Sequence, residues 1–114
     1  ITPYVSDVSE HLIEEVNSNG IRTTVTASFD EKNEASVARI RPTSIVDAVN
    51  ELYSGQSAIF ISCTNLQTFT IIEEIEKKCG CICFSSNQVL IWQMLRLAEI
   101  DHNLRGYGKL LSKS

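Results

Sequence analysis

Two polar clusters hold the residue types that nucleophilic and acid–base chemistry needs: Ser62-Cys63-Thr64-Asn65 and Ser85-Ser86-Asn87. Each follows a short apolar run and precedes a stretch with helical spacing. A cluster between a buried strand and a helix sits at the helix N-terminus, where free backbone amides and the helix dipole favour an anion. That position also lowers a cysteine's pKa and favours the nucleophilic thiolate. Thr64 and Asn65 add side-chain donors suited to a carboxylate or an enediolate-like intermediate. Cys63 is thereby set apart from Cys79, Cys81 and Cys83. The plainer alternative stands beside this one. Asn65 and Asn87 are common cap residues, and a lone cysteine after a strand is often inert. Ser86 and Asn87 are the weaker candidates.

The three later cysteines fall at alternate positions, 79, 81 and 83. Paired zinc ligands are usually two to four residues apart, and neither His11 nor His102 is near in sequence. No metal site is expected, and buried apolar thiols are the better account of these three.

The elements that must position the clusters alternate between helix and strand. Asp7 and Glu10 have capping-box spacing, with Ser6 or Asp7 as the cap. Val8, Leu12, Ile13 and Val16 then recur at helical spacing up to Gly20. Ile21 to Phe29 is rich in β-branched residues and is expected to form a strand. Asp30 to Arg41 is polar and irregular, a loop with room for a short helical turn. Pro42 suits the first turn of a helix whose apolar face is Ile45, Val46, Val49 and Leu52. Ala58 to Ile61 is a continuous apolar run, as expected of a strand buried on both faces. A helix follows the first cluster, with Phe69, Ile71, Ile72 and Ile75 inside and Glu73, Glu74, Glu76, Lys77 and Lys78 mostly outside; Gly80 closes it. Cys81 to Phe84 is a second short buried strand. The last helix carries Val89, Leu90, Trp92, Met94, Leu95 and Leu97. Glu99 to Ser114 is expected to be a loop with one short element. This alternation predicts a doubly wound α/β lobe in three layers, with a mostly parallel sheet of about four strands. Ligands of such sheets bind beyond the carboxyl ends of the strands, where both clusters fall.

Composition bounds the function. The chain has 114 residues, enough for one lobe spanning residues 1–114. A net charge of −4 argues against nucleic acid as a partner. No apolar run approaches a membrane span, and the start Ile1-Thr2-Pro3-Tyr4 has no signal-peptide character. A cytoplasmic setting with reduced thiols is expected. The chain enters its first helix almost at once, as expected of a cut at a lobe boundary.

The motifs resemble those of a known superfamily, that of maleate cis-trans isomerases, arylmalonate decarboxylases and aspartate/glutamate racemases. Ile61-Ser62-Cys63-Thr64-Asn65-Leu66 looks like its second-lobe SCTN signature. Ser85-Ser86-Asn87-Gln88, then Trp92 and Arg96-Leu97-Ala98, resembles its SSNQ, W, RLA segment. Thr2-Pro3-Tyr4 is similar to its TPY opening of the lobe, and Ala38-Arg39-Ile40-Arg41-Pro42 to its ARI-x-P loop. Gly106-Tyr107-Gly108-Lys109-Leu110 is similar to its closing Gly-Tyr-Gly-basic-Leu stretch. Five short motifs in the family's order cover almost the whole chain.

The resemblance implies a two-lobed enzyme with its active site in the cleft between lobes, acting on small carboxylic or dicarboxylic acids without a metal or organic cofactor. Racemases and isomerases of the family carry one cysteine in each lobe; decarboxylases keep one of the pair. By this resemblance Cys63 is the catalytic cysteine of the second lobe. Tyr4 matches a substrate-contacting tyrosine, and Asn33 a carboxylate-binding asparagine, although the surroundings of Asn33 align poorly. Thr64, Asn65, Ser86 and Asn87 complete the expected substrate-binding set. A maleate isomerase-like activity is the nearest expectation, an arylmalonate-type decarboxylase the second, and a non-catalytic anion-binding or assembly lobe the third. The first lobe is absent from the chain, so the isolated lobe is expected to be inactive and to pair with that lobe or with a second copy. Glu99-Ile100-Asp101 departs from the small Gly-containing stretch expected after the tryptophan helix.

Overall fold

The computed structural model describes residues 1–112. Lys113 and Ser114, the end of the expected closing loop, lie outside the described residues.

The chain runs β1 (Thr2–Tyr4), α1 (Ser6–Ser18), β2 (Ser28–Glu31), α2 (Glu34–Val37), α3 (Pro42–Leu52), β3 (Ala58–Ile61), α4 (Ile72–Cys79), β4 (Ile82–Ser85) and α5 (Ser86–Leu97). Two parallel ladders form, β1 with β2 and β3 with β4. They are joined through Ile1, whose nitrogen donates to the Phe60 carbonyl at 2.7 Å and whose carbonyl accepts from the Ser62 N–H at 2.8 Å. That exchange is the pattern of a parallel bridge. The strands thus lie side by side in the order β2-β1-β3-β4, all parallel, as a doubly wound α/β lobe requires. The order reverses between β1 and β3.

Strand alternation divides the sheet into two faces. Ile59 and Ile61 of β3, with Cys83 of β4, point into a core built with Ile45, Val46 and Val49 of α3 and Ile72 and Ile75 of α4. Pro42 at the first turn of α3 has no N–H to lose there and presets its φ. Gly80 caps α4 in the left-handed conformation at φ 72°. The opposite face carries Phe60 and Phe84, whose ring centroids are 5.4 Å apart. These rings line an open groove of about 840 Å³ shared with α1. The expected burial of β3 on both faces is therefore corrected: Ala58 is exposed, and Ile59 and Phe60 are half-buried.

Four further expectations change. Ile21 to Ala27 is not a strand; only Ser28–Glu31 pairs. Among the described residues no strand pairs with the outer edge of β2 and none pairs with the β-branched run, and Ile21 is 64 % exposed. α1 begins at Ser6 with Val5 as its cap and no side-chain cap, because β1 ends only one residue earlier. Glu76 is buried, not outside: its carboxylate accepts from the backbone N–H of Cys83 at 3.0 Å and of Lys109 at 2.9 Å. Cys79 is half-buried, whereas Cys81 and Cys83 are buried. No helix of the described residues is long and apolar enough to cross a membrane.

Candidate active site at the carboxyl ends of the strands

Cys63 lies two residues beyond β3 and Ser86 one beyond β4. Parallel pairing, with Ile61 opposite Ser85, brings both to the same sheet edge. The Cys63 backbone N–H donates to Ser86 Oγ at 3.1 Å. Cys63 is only 5 % exposed and has φ 112°, a conformation that non-glycine residues rarely adopt. Such strain persists only where surrounding contacts over-determine it. Here the contacts are the Ser86 hydroxyl on the backbone and the Asn65 N–H, which donates to Cys63 Sγ at 3.3 Å.

The expected helix start at Cys63 is corrected. α4 begins at Ile72, and the chain from Thr64 to Ile71 is two turns joined by an irregular stretch. A helix dipole acts mainly within its own first turn, so α4 does not stabilise a thiolate at Cys63. The donor aimed at the sulfur is instead the Asn65 backbone amide of the turn.

Tyr4 ends β1, the strand beside β3, and its hydroxyl lies against the Cys63 thiol and Ser62. Burial pushes the Tyr4 pKa up to about 12; contact with the Cys63 thiol and the nearby charges of Cys63 and Glu34 push the same way, and Ser62 opposes them. The phenol is thus held as a hydrogen-bond donor at neutral pH. Tyr4 and Cys63 mark the ends of β1 and β3, where the strand order reverses, the place at which open parallel sheets bind ligands.

The other candidates gather around this pair. Asn87 Nδ2 donates to the Thr64 carbonyl at 2.9 Å, tying the two clusters together. Thr64 is exposed beside it. Neither Asn65 nor Asn87 is a cap; Ser85 caps α5 in a reciprocal box with Gln88. Asn33 does cap: its Oδ1 accepts from the Ala35 N–H at 2.8 Å at the start of α2. It follows β2 at the same sheet edge. Arg39 is exposed, and Trp92 is half-buried with the Arg96 guanidinium 4.7 Å from its ring centre.

One residue escaped the sequence. Asn65 Nδ2 donates to the Glu34 carbonyl at 2.9 Å and to Glu34 Oε2 at 3.1 Å, across 31 positions. The only signal for Glu34 was an acidic residue directly after Asn33, which helix N-termini favour on any surface.

A doubly wound parallel lobe with a buried thiol and a protonated phenol at its switch point is the class that fold and site define. The chain belongs to the arylmalonate decarboxylase family, whose model matches residues 1–111. It is 28 % identical to the arylmalonate decarboxylase of Bordetella bronchiseptica, over 99 % of this chain and 49 % of that one. It is 23 % identical to the maleate isomerase of Geobacillus stearothermophilus, over 98 % of this chain and 45 % of that one. Among solved structures, a maleate isomerase of Pseudomonas putida with maleate superposes with a TM-score of 0.95 at 19 % identity, covering 99 % of this chain and 46 % of that one. An arylmalonate decarboxylase in liganded form superposes with a TM-score of 0.91 at 27 % identity, covering 99 % and 50 %. The chain therefore spans about half the length of the curated relatives it matches.

Proposed function

We propose that this chain is the second, cysteine-bearing lobe of a cofactor-independent isomerase or racemase acting on small carboxylic or dicarboxylic acids, with maleate isomerase-like chemistry. The observation that carries this reading is Cys63, strained and buried beside the Tyr4 hydroxyl at the switch point. One cysteine thiolate of the two-lobe site, to which this lobe contributes Cys63, adds to one alkene carbon of maleate; the C–S bond forms as the π pair moves into the adjacent carboxylate. The resulting enediolate allows rotation about the C–C single bond. Its electron pair then rebuilds the double bond as the C–S bond breaks, releasing fumarate and the thiolate. A cysteine-to-serine mutant of a Nocardia farcinica maleate isomerase, in a structure described as holding a covalently bound succinylcysteine intermediate, supports a covalent cysteine route in which the adduct forms on a cysteine other than the replaced one.

Around the thiol, Tyr4 donates to the enediolate, and Thr64, Asn65, Ser86 and Asn87 supply donors for a carboxylate. Asn33 uses Oδ1 for its cap, which leaves its amide nitrogen as the donor to substrate. The complementary lobe, or a second copy of this one, supplies the opposite wall. The exposed apolar side chains Leu90, Met94 and Leu97 of α5 support such pairing. Alone, the chain holds half of a site whose chemistry depends on orientation, and it is inactive. The free cysteines suit a reducing cytoplasm.

The identity to the decarboxylase, the higher of the two at 28 % against 23 %, favours a second reading. There a malonate loses CO₂, the bond pair remains as an enediolate, and the Cys63 S–H protonates the α-carbon. The test is turnover by the protein that carries this chain together with its complementary lobe. Fumarate formation from maleate and CO₂ release from phenylmalonate separate the two readings. Cys63→Ser should lower whichever turnover is present by about a thousandfold. Undiminished turnover in that variant, or none with either substrate in the parent, overturns the reading.

A further inference from the structure

We propose that Glu34 is a specificity-determining residue of this site: its carboxylate occupies the Asn65 amide in the place a substrate carboxylate would take, and an incoming anion must displace it. This rests on the proposed role of Asn65 as a carboxylate donor.

A site built to take anions gains nothing from a carboxylate of its own, yet Glu34 brings one to it. Its Oε2 and its backbone carbonyl share the Nδ2 of Asn65, at 3.1 and 2.9 Å. The contact joins the start of α2 to the turn that carries Cys63, so it depends on the fold and not on local sequence. The charge of Glu34 also reaches the Tyr4 hydroxyl, which contacts the Cys63 thiol. Glu34 thus acts on two of the donors proposed for this site, Asn65 and Tyr4.

Two consequences follow from charge alone. Without substrate, the Asn65 amide is satisfied and the turn beyond Cys63 is held closed against α2. With substrate, each negative charge in the cleft is repelled by Glu34, so a dianion loses more affinity than a monoanion of the same shape. Glu34 therefore biases the site toward substrates that present a single negative charge at this edge. Glutamine in its place keeps the shape and the acceptor for Asn65 and removes the charge.

The test is calorimetric titration of the parent protein and its Glu34→Gln variant with succinate, an unreactive dianion, and with succinamate, its singly charged monoamide. Glu34→Gln should tighten succinate by about tenfold and succinamate by about threefold, the ratio expected for removing one partly screened charge. Glu73→Gln, on α4 and paired with Lys77, is the surface-charge control and should change neither. Equal tightening of both ligands shows that the charge of Glu34 does not discriminate between dianion and monoanion and overturns the charge-based selection. Unchanged or weaker succinate binding overturns the proposal while leaving the carboxylate site intact. No binding of either ligand to parent or variant overturns both this inference and the carboxylate reading beneath it.

Discussion

The backbone N–H of Cys63 donates to the hydroxyl of Ser86 at 3.1 Å, tying the ends of β3 and β4 together where the thiol sits. With Cys63 at φ 112°, this bond helps hold a conformation that an L side chain resists. Glycine adopts that region freely. Cys63→Gly should therefore be more stable than Cys63→Ala by about 1 kcal/mol in urea denaturation, although it removes more buried surface. The reverse order would show that the backbone at Cys63 is unstrained.

Ser86→Ala removes the acceptor and leaves the Cys63 N–H without a partner at a nearly buried position. A loss of about 1 kcal/mol is expected, with faster amide exchange at Cys63 as the local readout. Unchanged exchange at Cys63 would show that other contacts alone hold the turn.

Tyr4 supplies a pH signature. Its folded pKa of about 12 lies above the ordinary phenol value of 10.0. For a raised pKa the folded form holds its proton longer, so the stability it contributes is fully present below the unfolded value. That stability is lost as pH rises from the unfolded value through the folded one. Tyr4→Phe should flatten the stability curve over that alkaline window and leave its slope near neutral pH unaltered. Parallel curves for parent and variant would place the phenol in open water.

Glu76 holds the closing loop against β4. Glu76→Gln replaces one of its two acceptor oxygens with an NH₂ group facing either the Cys83 or the Lys109 N–H. Loss of a charge-assisted, buried hydrogen bond should cost about 2 kcal/mol by urea midpoint. An effect below a few tenths would mean the loop is docked without Glu76, through buried Leu111 and the Gln88 side chain on the Tyr107 carbonyl.

Gly108 lies against α4. A Cβ there would sit 2.5 Å from Ile72 Cγ2, at φ 85°. Gly108→Ala should cost at least about 2 kcal/mol, from overpacking against a fully buried isoleucine plus backbone strain. Gly20 has the same φ of 85° and nothing within 4 Å of an added Cβ, so Gly20→Ala isolates the backbone share, about 1 kcal/mol. Equal losses at the two glycines would remove the steric contribution.

Elements whose signals are local could be read from the sequence. Ala58 to Ile61 is a strand residue for residue, because four consecutive apolar residues flanked by polar ones leave little alternative. Pro42 marks the first turn of α3, and Gly80 stops α4. Ile21 to Ala27 failed for the opposite reason. Its β-branched residues favour an extended chain, but a strand exists only where a neighbour accepts its hydrogen bonds. Phe69 and Ile71 fit a helical stripe with Ile72 and Ile75, yet they lie in the turns that carry the chain from Cys63 to α4.

By itself the sequence determined the motif order that identifies the lobe, the cysteine to examine and the sheet edge that bears it, since strand–helix alternation dictates which chain ends meet. Tertiary structure alone decided what surrounds the thiol. The positive φ of Cys63, its Ser86 acceptor, the Tyr4 hydroxyl against it and the Glu34 carboxylate on Asn65 arise from contacts 23 to 59 positions apart. Local propensity is blind to such contacts, because they form only once parallel pairing has brought distant strand ends side by side.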